Sequence, residues 1–85
     1  MYFGIALDFI KKRVRQFQEK KLNEIISKIQ FHQYMKNQLK QKLEDATNND
    51  NATKIQEEIK FNDKMIEIWQ RNEEKLRRQM SETED

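Results

Sequence analysis

The chain of 85 residues contains no cysteine, no proline and a single glycine, Gly4. The first absence excludes a disulfide framework and any thiolate metal site. The other two remove the usual punctuation of tight turns and strands. No apolar run approaches the ~20 residues needed to cross a bilayer as a helix. Hydrophobic residues make up 35% of the chain against 38% charged, and the mean hydropathy is −1.15. A chain this short removes only a modest part of its surface from water when it folds alone, so this balance argues against a thick globular core.

What is present is Lys, Glu, Gln, Leu and Ile, a composition that favours long helices. Charge is placed unevenly. Residues 1–22 carry six cations (Lys11, Lys12, Arg13, Arg15, Lys20, Lys21) against Asp8 and Glu19, whereas the remainder carries eleven against thirteen acids. Such asymmetry points to an anionic surface near the N-terminus and not to a nucleic-acid coat over the whole molecule.

Apolar positions recur in steps of three and four at Leu22, Ile25, Ile29, His32, Lys36, Leu39, Leu43 and Ala46, and again at Ile55, Ile59, Asn62, Ile66, Trp69, Glu73, Leu76 and Met80. Each series is one seam of a long helix. Between them lies Thr47–Asn51, a run of short polar side chains that favours turns and caps. Thr53 and Gln56 have the spacing of a capping box, with Asp50 or Asn51 as the other candidate caps, so helix two is expected to start within a turn of residue 52.

Folding the chain at residue 49 sets Leu43 opposite Ile55, Leu39 opposite Ile59, Lys36 opposite Asn62, His32 opposite Ile66, Ile29 opposite Trp69, Ile25 opposite Glu73 and Leu22 opposite Leu76. All these layers share one register, and the three-four alternation runs oppositely in the two halves, as an antiparallel coiled coil requires. The expected fold class is therefore all-α: two long helices in an antiparallel, coiled-coil-like αα-hairpin with the N-terminal end of helix one overhanging. Residues 18–80 form the hairpin with its turn at 47–51, residues 1–17 an apolar and basic arm, and residues 81–85 an acidic, frayed tail. Lys36 and Asn62 share a layer, where the ammonium could reach the amide oxygen or water and help fix the register.

The arm has its own seam at Phe3, Leu7, Ile10, Val14 and Phe17. It is slightly out of phase with the hairpin seam, since Phe17 to Leu22 is a step of five. Together with Tyr2 and Phe9 these residues are the expected docking surface, because so many exposed apolar side chains call for a cover. Lys11, Lys12, Arg13 and Arg15 are the expected contacts to phosphates or acidic side chains. Phe31, Tyr34 and Met35 on helix one, with Phe61, Met65 and Ile68 on helix two, sit beside the hairpin seam and form a second apolar face.

Catalytic machinery is hard to find. His32 has no cysteine and no properly spaced carboxylate with which to hold a metal, and it falls on the core seam. Glu73 lacks an acid-base companion and has Arg77 one turn on. Ser27, Ser81 and the threonines have no adjacent base, and one glycine cannot build a phosphate loop. Trp69 is expected as a core anchor. No enzyme activity, cofactor or metal is expected.

The sequence thus suggests a structural role: a small accessory subunit or assembly factor docking on a larger complex at or near a membrane. An anionic lipid surface and a homodimer are the other receivers considered for the arm. The composition of residues 1–18 loosely fits a mitochondrial targeting helix, with Asp8 and the lack of serine against it; a cytoplasmic location is the alternative. The competing function is a small regulator whose basic arm binds nucleic acid, although the chain lacks the third helix of a helix-turn-helix domain.

Overall fold

The computed structural model describes the backbone of residues 2–46 and 49–82, and the side chains of residues 6–46 and 51–82. Two helices account for nearly all of it: α1 spans Tyr2–Asp45 and α2 spans Asn49–Glu82. Contacts of Lys28 with Trp69 and of Lys36 with Asp63 show the chain numbers rising along one helix as they fall along the other. The pair is therefore an antiparallel hairpin, drawn out to 71 × 15 × 12 Å.

α1 has 44 residues and α2 has 34. A helix advances about 1.5 Å per residue, so the part of α1 before Gln18 projects roughly 24 Å past the end of its mate. Every described side chain from Ala6 to Phe17 is exposed, and Gln18 is the first to be half-buried. The expected overhang is thus present with its expected boundary.

The turn is tighter than the sequence suggests. α1 closes with a bond from the Ala46 amide to the Leu43 carbonyl at 3.2 Å, and Lys42 in its last turn offsets the negative helix end. α2 has already begun at Asn49. Thr53 consequently lies inside the helix and cannot cap it. The expected cap candidate Asp50 has its side chain outside the described residues, as do residues 47, 48 and 83–85.

The core is thin. Ile25, Ile29, Ile66 and Leu76 cluster with half-buried Leu22, Trp69 and Met80, and Leu39 is buried separately towards the turn. The seam predicts all of these positions. One layer is paired differently. Asn62, only 7% exposed, accepts a bond at its Oδ1 from His32 Nδ1 at 2.9 Å, while its Nδ2 donates to the Glu58 carbonyl at 2.9 Å. The second bond fixes which end of the amide is oxygen, and so makes His32 Nδ1 the donor. Lys36 reaches instead to Asp63 at 2.6 Å. Each seam residue of a coiled coil nests between two of its partner, so Asn62 lies within reach of both His32 and Lys36. The shorter imidazole fills the enclosed site and the longer, charged lysine finds a carboxylate at the rim.

That arrangement fixes an expected outcome. Asn62→Leu leaves the imidazole N–H without its acceptor and lowers stability by about 1 to 2 kcal/mol, whereas the double change His32→Leu with Asn62→Leu recovers most of the loss. Urea unfolding of the four proteins in the cycle measures both; a double variant as unstable as the sum of its single changes would contradict the pairing.

Candidate interaction surface

A helix turns about 100° per residue, so the residue just before each seam position lies on one flank of the pair and the residue just after it on the other. In an antiparallel pair, the reversed chain direction and the mirrored placement cancel. Preceding residues on both helices therefore share a flank. The structure shows this directly: one cleft of about 410 Å³ is lined by Lys21, Glu24 and Lys28 of α1 and by Asn72, Lys75 and Gln79 of α2, all of them preceding residues.

Phe31 and Met35 continue that flank on α1, as Phe61, Met65 and Ile68 do on α2. The six residues expected as a second apolar face thus come together at one level of the hairpin, with Tyr34 turned further round the outside of α1. Phe31, Tyr34, Phe61 and Ile68 are exposed, Met35 is at the margin, and Met65 is half-buried. The opposite flank is polar. Its cleft is lined by Gln33, Asn37, Lys40 and Asp63 beside Lys36 and Ile66.

The arm belongs to the same flank. Carried back past Gln18, the hairpin seam falls on Arg15, Lys11 and Asp8, and no apolar position remains there to hold a second helix. The preceding column instead becomes Phe17, Val14, Ile10 and Leu7, exposed to between 40% and 66%. The phase difference between the two seams is therefore a whole residue, about 100° of rotation, and not the slight slip expected. A single column with steps of three and four runs from Leu7 through Val14, Lys21, Glu24 and Lys28 to Met35.

Phe9, also expected in the docking set and 59% exposed, is not in this column. It lies one residue before this column, on the outer side of the arm, where the Arg13 guanidinium stands 5.1 Å from its ring centroid. Lys11, Lys12 and Arg15 surround the remaining sides of the arm and are exposed. The side chains of Tyr2 and Phe3 lie outside the described residues. The sequence names several of the cleft residues, such as Lys21, Ile25, Trp69 and Leu76, but not their union in one cleft; the signal for that is the position of the rim residues one before the seam, which becomes informative only when both helices are aligned.

Trp69 forms the cleft wall. Its ring takes the Lys28 ammonium at 5.0 Å, while its Nε1–H is buried without a hydrogen-bond partner. An unpaired buried donor costs about 1 to 3 kcal/mol, so the ring is retained for its apolar area and its face. Glu73 meets Arg77 at 3.5 Å, as its spacing suggests, and both sit in solvent-accessible surroundings. Phe31 packs edge-on to His32 with centroids 5.3 Å apart. Among the described residues no group of three His, Asp or Glu side chains could hold a metal ion, and no helix is long and apolar enough to cross a membrane. No protein-family model, curated protein or solved structure matches the chain.

The unpaired indole has a measurable consequence. Trp69→Phe removes the orphan donor and keeps the aromatic face, so stability changes by less than about 1 kcal/mol. Trp69→Ala opens a gap against Ile25 and Leu76 and costs roughly 3 kcal/mol. Chemical denaturation monitored by circular dichroism separates the two; equal losses would show that the N–H has a partner after all.

Proposed function

We propose that this chain is a non-enzymatic interaction protein, a small accessory subunit or assembly factor. It docks through its N-terminal arm and the adjoining helix flank onto a larger assembly. The observation carrying this reading is the distribution of apolar side chains. Five hydrophobic residues are buried, whereas ten large ones are exposed among the described residues. Most of the ten lie on one flank, while the other flank is polar. A large apolar side chain gains roughly 1.5 to 3 kcal/mol on full burial, so half-exposed residues in this number leave a substantial stabilisation to be gained only outside the hairpin.

The cations around the arm give the docking site a preference for acidic surroundings. A membrane-held assembly, mitochondrial or otherwise, is compatible with that preference, with the chain lying against the surface and not through it. The basic cluster alone supports the nucleic-acid alternative less well, because Arg13 is engaged with Phe9 and the arm presents an apolar stripe to its partner.

The reading is tested in the native source. Full-length chain carrying Ile10→Glu, or Val14→Glu, is expected to lose at least tenfold of its association with whatever assembly retains the unaltered chain, compared by quantitative sedimentation of extracts. Each change places a carboxylate within the column without touching the hairpin core. Undiminished association of both variants would refute docking through the arm.

A further inference from the structure

The flank just described has two apolar stretches separated by a charged one, and the order of these parts along α1 is self-complementary. We infer that the flank is covered by a second copy of this chain, its α1 laid antiparallel across the first and related to it by a two-fold axis between Lys21 and Glu24. This rests on the flank being a docking surface, and it narrows the occupant of that flank from a larger assembly to a second copy.

The column itself carries the inference. Turned end over end about that point, Ile10 of one copy falls on Met35 of the other and Val14 on Phe31. Phe17 falls on Lys28, whose ammonium is already drawn over the Trp69 ring and whose alkyl stem is left for the phenyl group. At the axis Lys21 meets Glu24 twice, once on each side, so two of the three charges that interrupt the apolar column neutralise each other in the pair. Outside the column, Phe9 and Tyr34 are both one residue before their column positions, and antiparallel packing puts them on the same side at nearly the same level. The two aromatic side chains displaced to the outside of α1 thus adjoin each other. Phe61 and Ile68 flank the incoming arm and widen its seat.

The register is selected as well as the partner. Sliding one copy by a heptad in either direction sets Val14 against Glu24, or Phe31 against Lys21. Of the three, the arrangement centred between Lys21 and Glu24 gives the most like-matched layers, with Ile10 on Met35, Val14 on Phe31 and Lys21 on Glu24, leaving Phe17 on Lys28 and Leu7 on Gln38 as its mixed layers. The isologous geometry also closes on itself, so each copy donates one arm and receives one, with no open end to propagate a fibre.

Sedimentation equilibrium of the intact chain over roughly 1 to 200 µM tests the assembly, since a reversible dimer shifts with concentration. The expected mass is twice that of the 10.5 kDa chain. Val14→Glu should weaken the dimer at least tenfold. The charge arrangement allows a sharper test. Lys21→Glu sets Glu against Glu across the axis and Glu24→Lys sets Lys against Lys, so each variant alone should dimerise about tenfold more weakly. An equimolar mixture of the two restores Lys–Glu at both sides and should regain the affinity of the unaltered protein. An effect confined to helix stability would give no such recovery on mixing.

A monomer across the whole concentration range, a dimer indifferent to Val14→Glu, or a mixture no tighter than its components would each overturn the second copy as occupant. So would a chain that stays monomeric in buffer and instead cosediments with phosphatidylserine vesicles. Those outcomes leave the docking reading itself to be judged by the extract experiment, in which loss of association through Ile10→Glu or Val14→Glu would still stand.

Discussion

A displacement of one residue between two apolar columns on α1 governs the rest of this molecule. From Leu22 onwards the column that faces α2 is apolar, and the hairpin forms along it. Before Gln18 that same column turns polar and the preceding one turns apolar. Because one residue is about 100° of rotation, the apolar stripe swings from the inter-helix seam onto a flank. α2 cannot follow it without leaving its own seam. Hydrophobic patterning thus withdraws from the overhang the surface a second helix would need.

The hairpin tolerates this division because its thin core is specified by more than hydrophobicity. Two antiparallel helices joined by a short turn could slide by a heptad with little loss of apolar contact. The buried Asn62 resists sliding, since its nitrogen is held by the Glu58 carbonyl of its own helix and its oxygen must find His32 on the other. Lys36 and Asp63 add an attraction at the rim that is worth at most about 1 kcal/mol at this exposure. Polar seam residues that look like flaws in a hydrophobic pattern thereby hold the two flanks at a fixed level. Without that level, the Phe31 and Met35 pair of α1 would not be brought beside Phe61, Met65 and Ile68 of α2.

The hairpin, its antiparallel sense, the overhang boundary near Gln18 and the core positions were all legible in the sequence, because each follows from periodicity, and periodicity survives without coordinates. The partners within the polar layer were not. Constant-register pairing names one opposite residue, whereas a knob in a hole has two neighbours, and the choice between His32 and Lys36 for Asn62 depends on side-chain length and charge. The start of α2 at Asn49 falls within a turn of residue 52, as expected, whereas Thr53 lies inside the helix and is not its cap: polar residues that favour turns also favour the first positions of a helix, so composition alone places that boundary only to within a turn. For the candidate surface, its members were recognisable as apolar residues off the seam. Their union into one flank needed both helices placed together.

The charged interruption at Lys21, Glu24 and Lys28 bears on what kind of surface fits this flank. A lipid interface rewards an unbroken apolar stripe with cations at its edges. Here an anion and three lysines, counting Lys75 across the cleft, occupy the middle of the stripe and would have to leave water for a medium that offers the lysines phosphate and the glutamate nothing. Burial of an unpaired carboxylate is costly enough to offset several apolar contacts. A protein surface can supply a cation opposite Glu24 and an anion opposite Lys21 at fixed distances, turning the same interruption into a device that sets orientation. On the docking reading proposed above, the flank is better suited to a partner with ordered, alternating charge than to one that is uniformly apolar beneath a uniformly anionic layer, and the arm's basic collar would then serve approach more than anchorage.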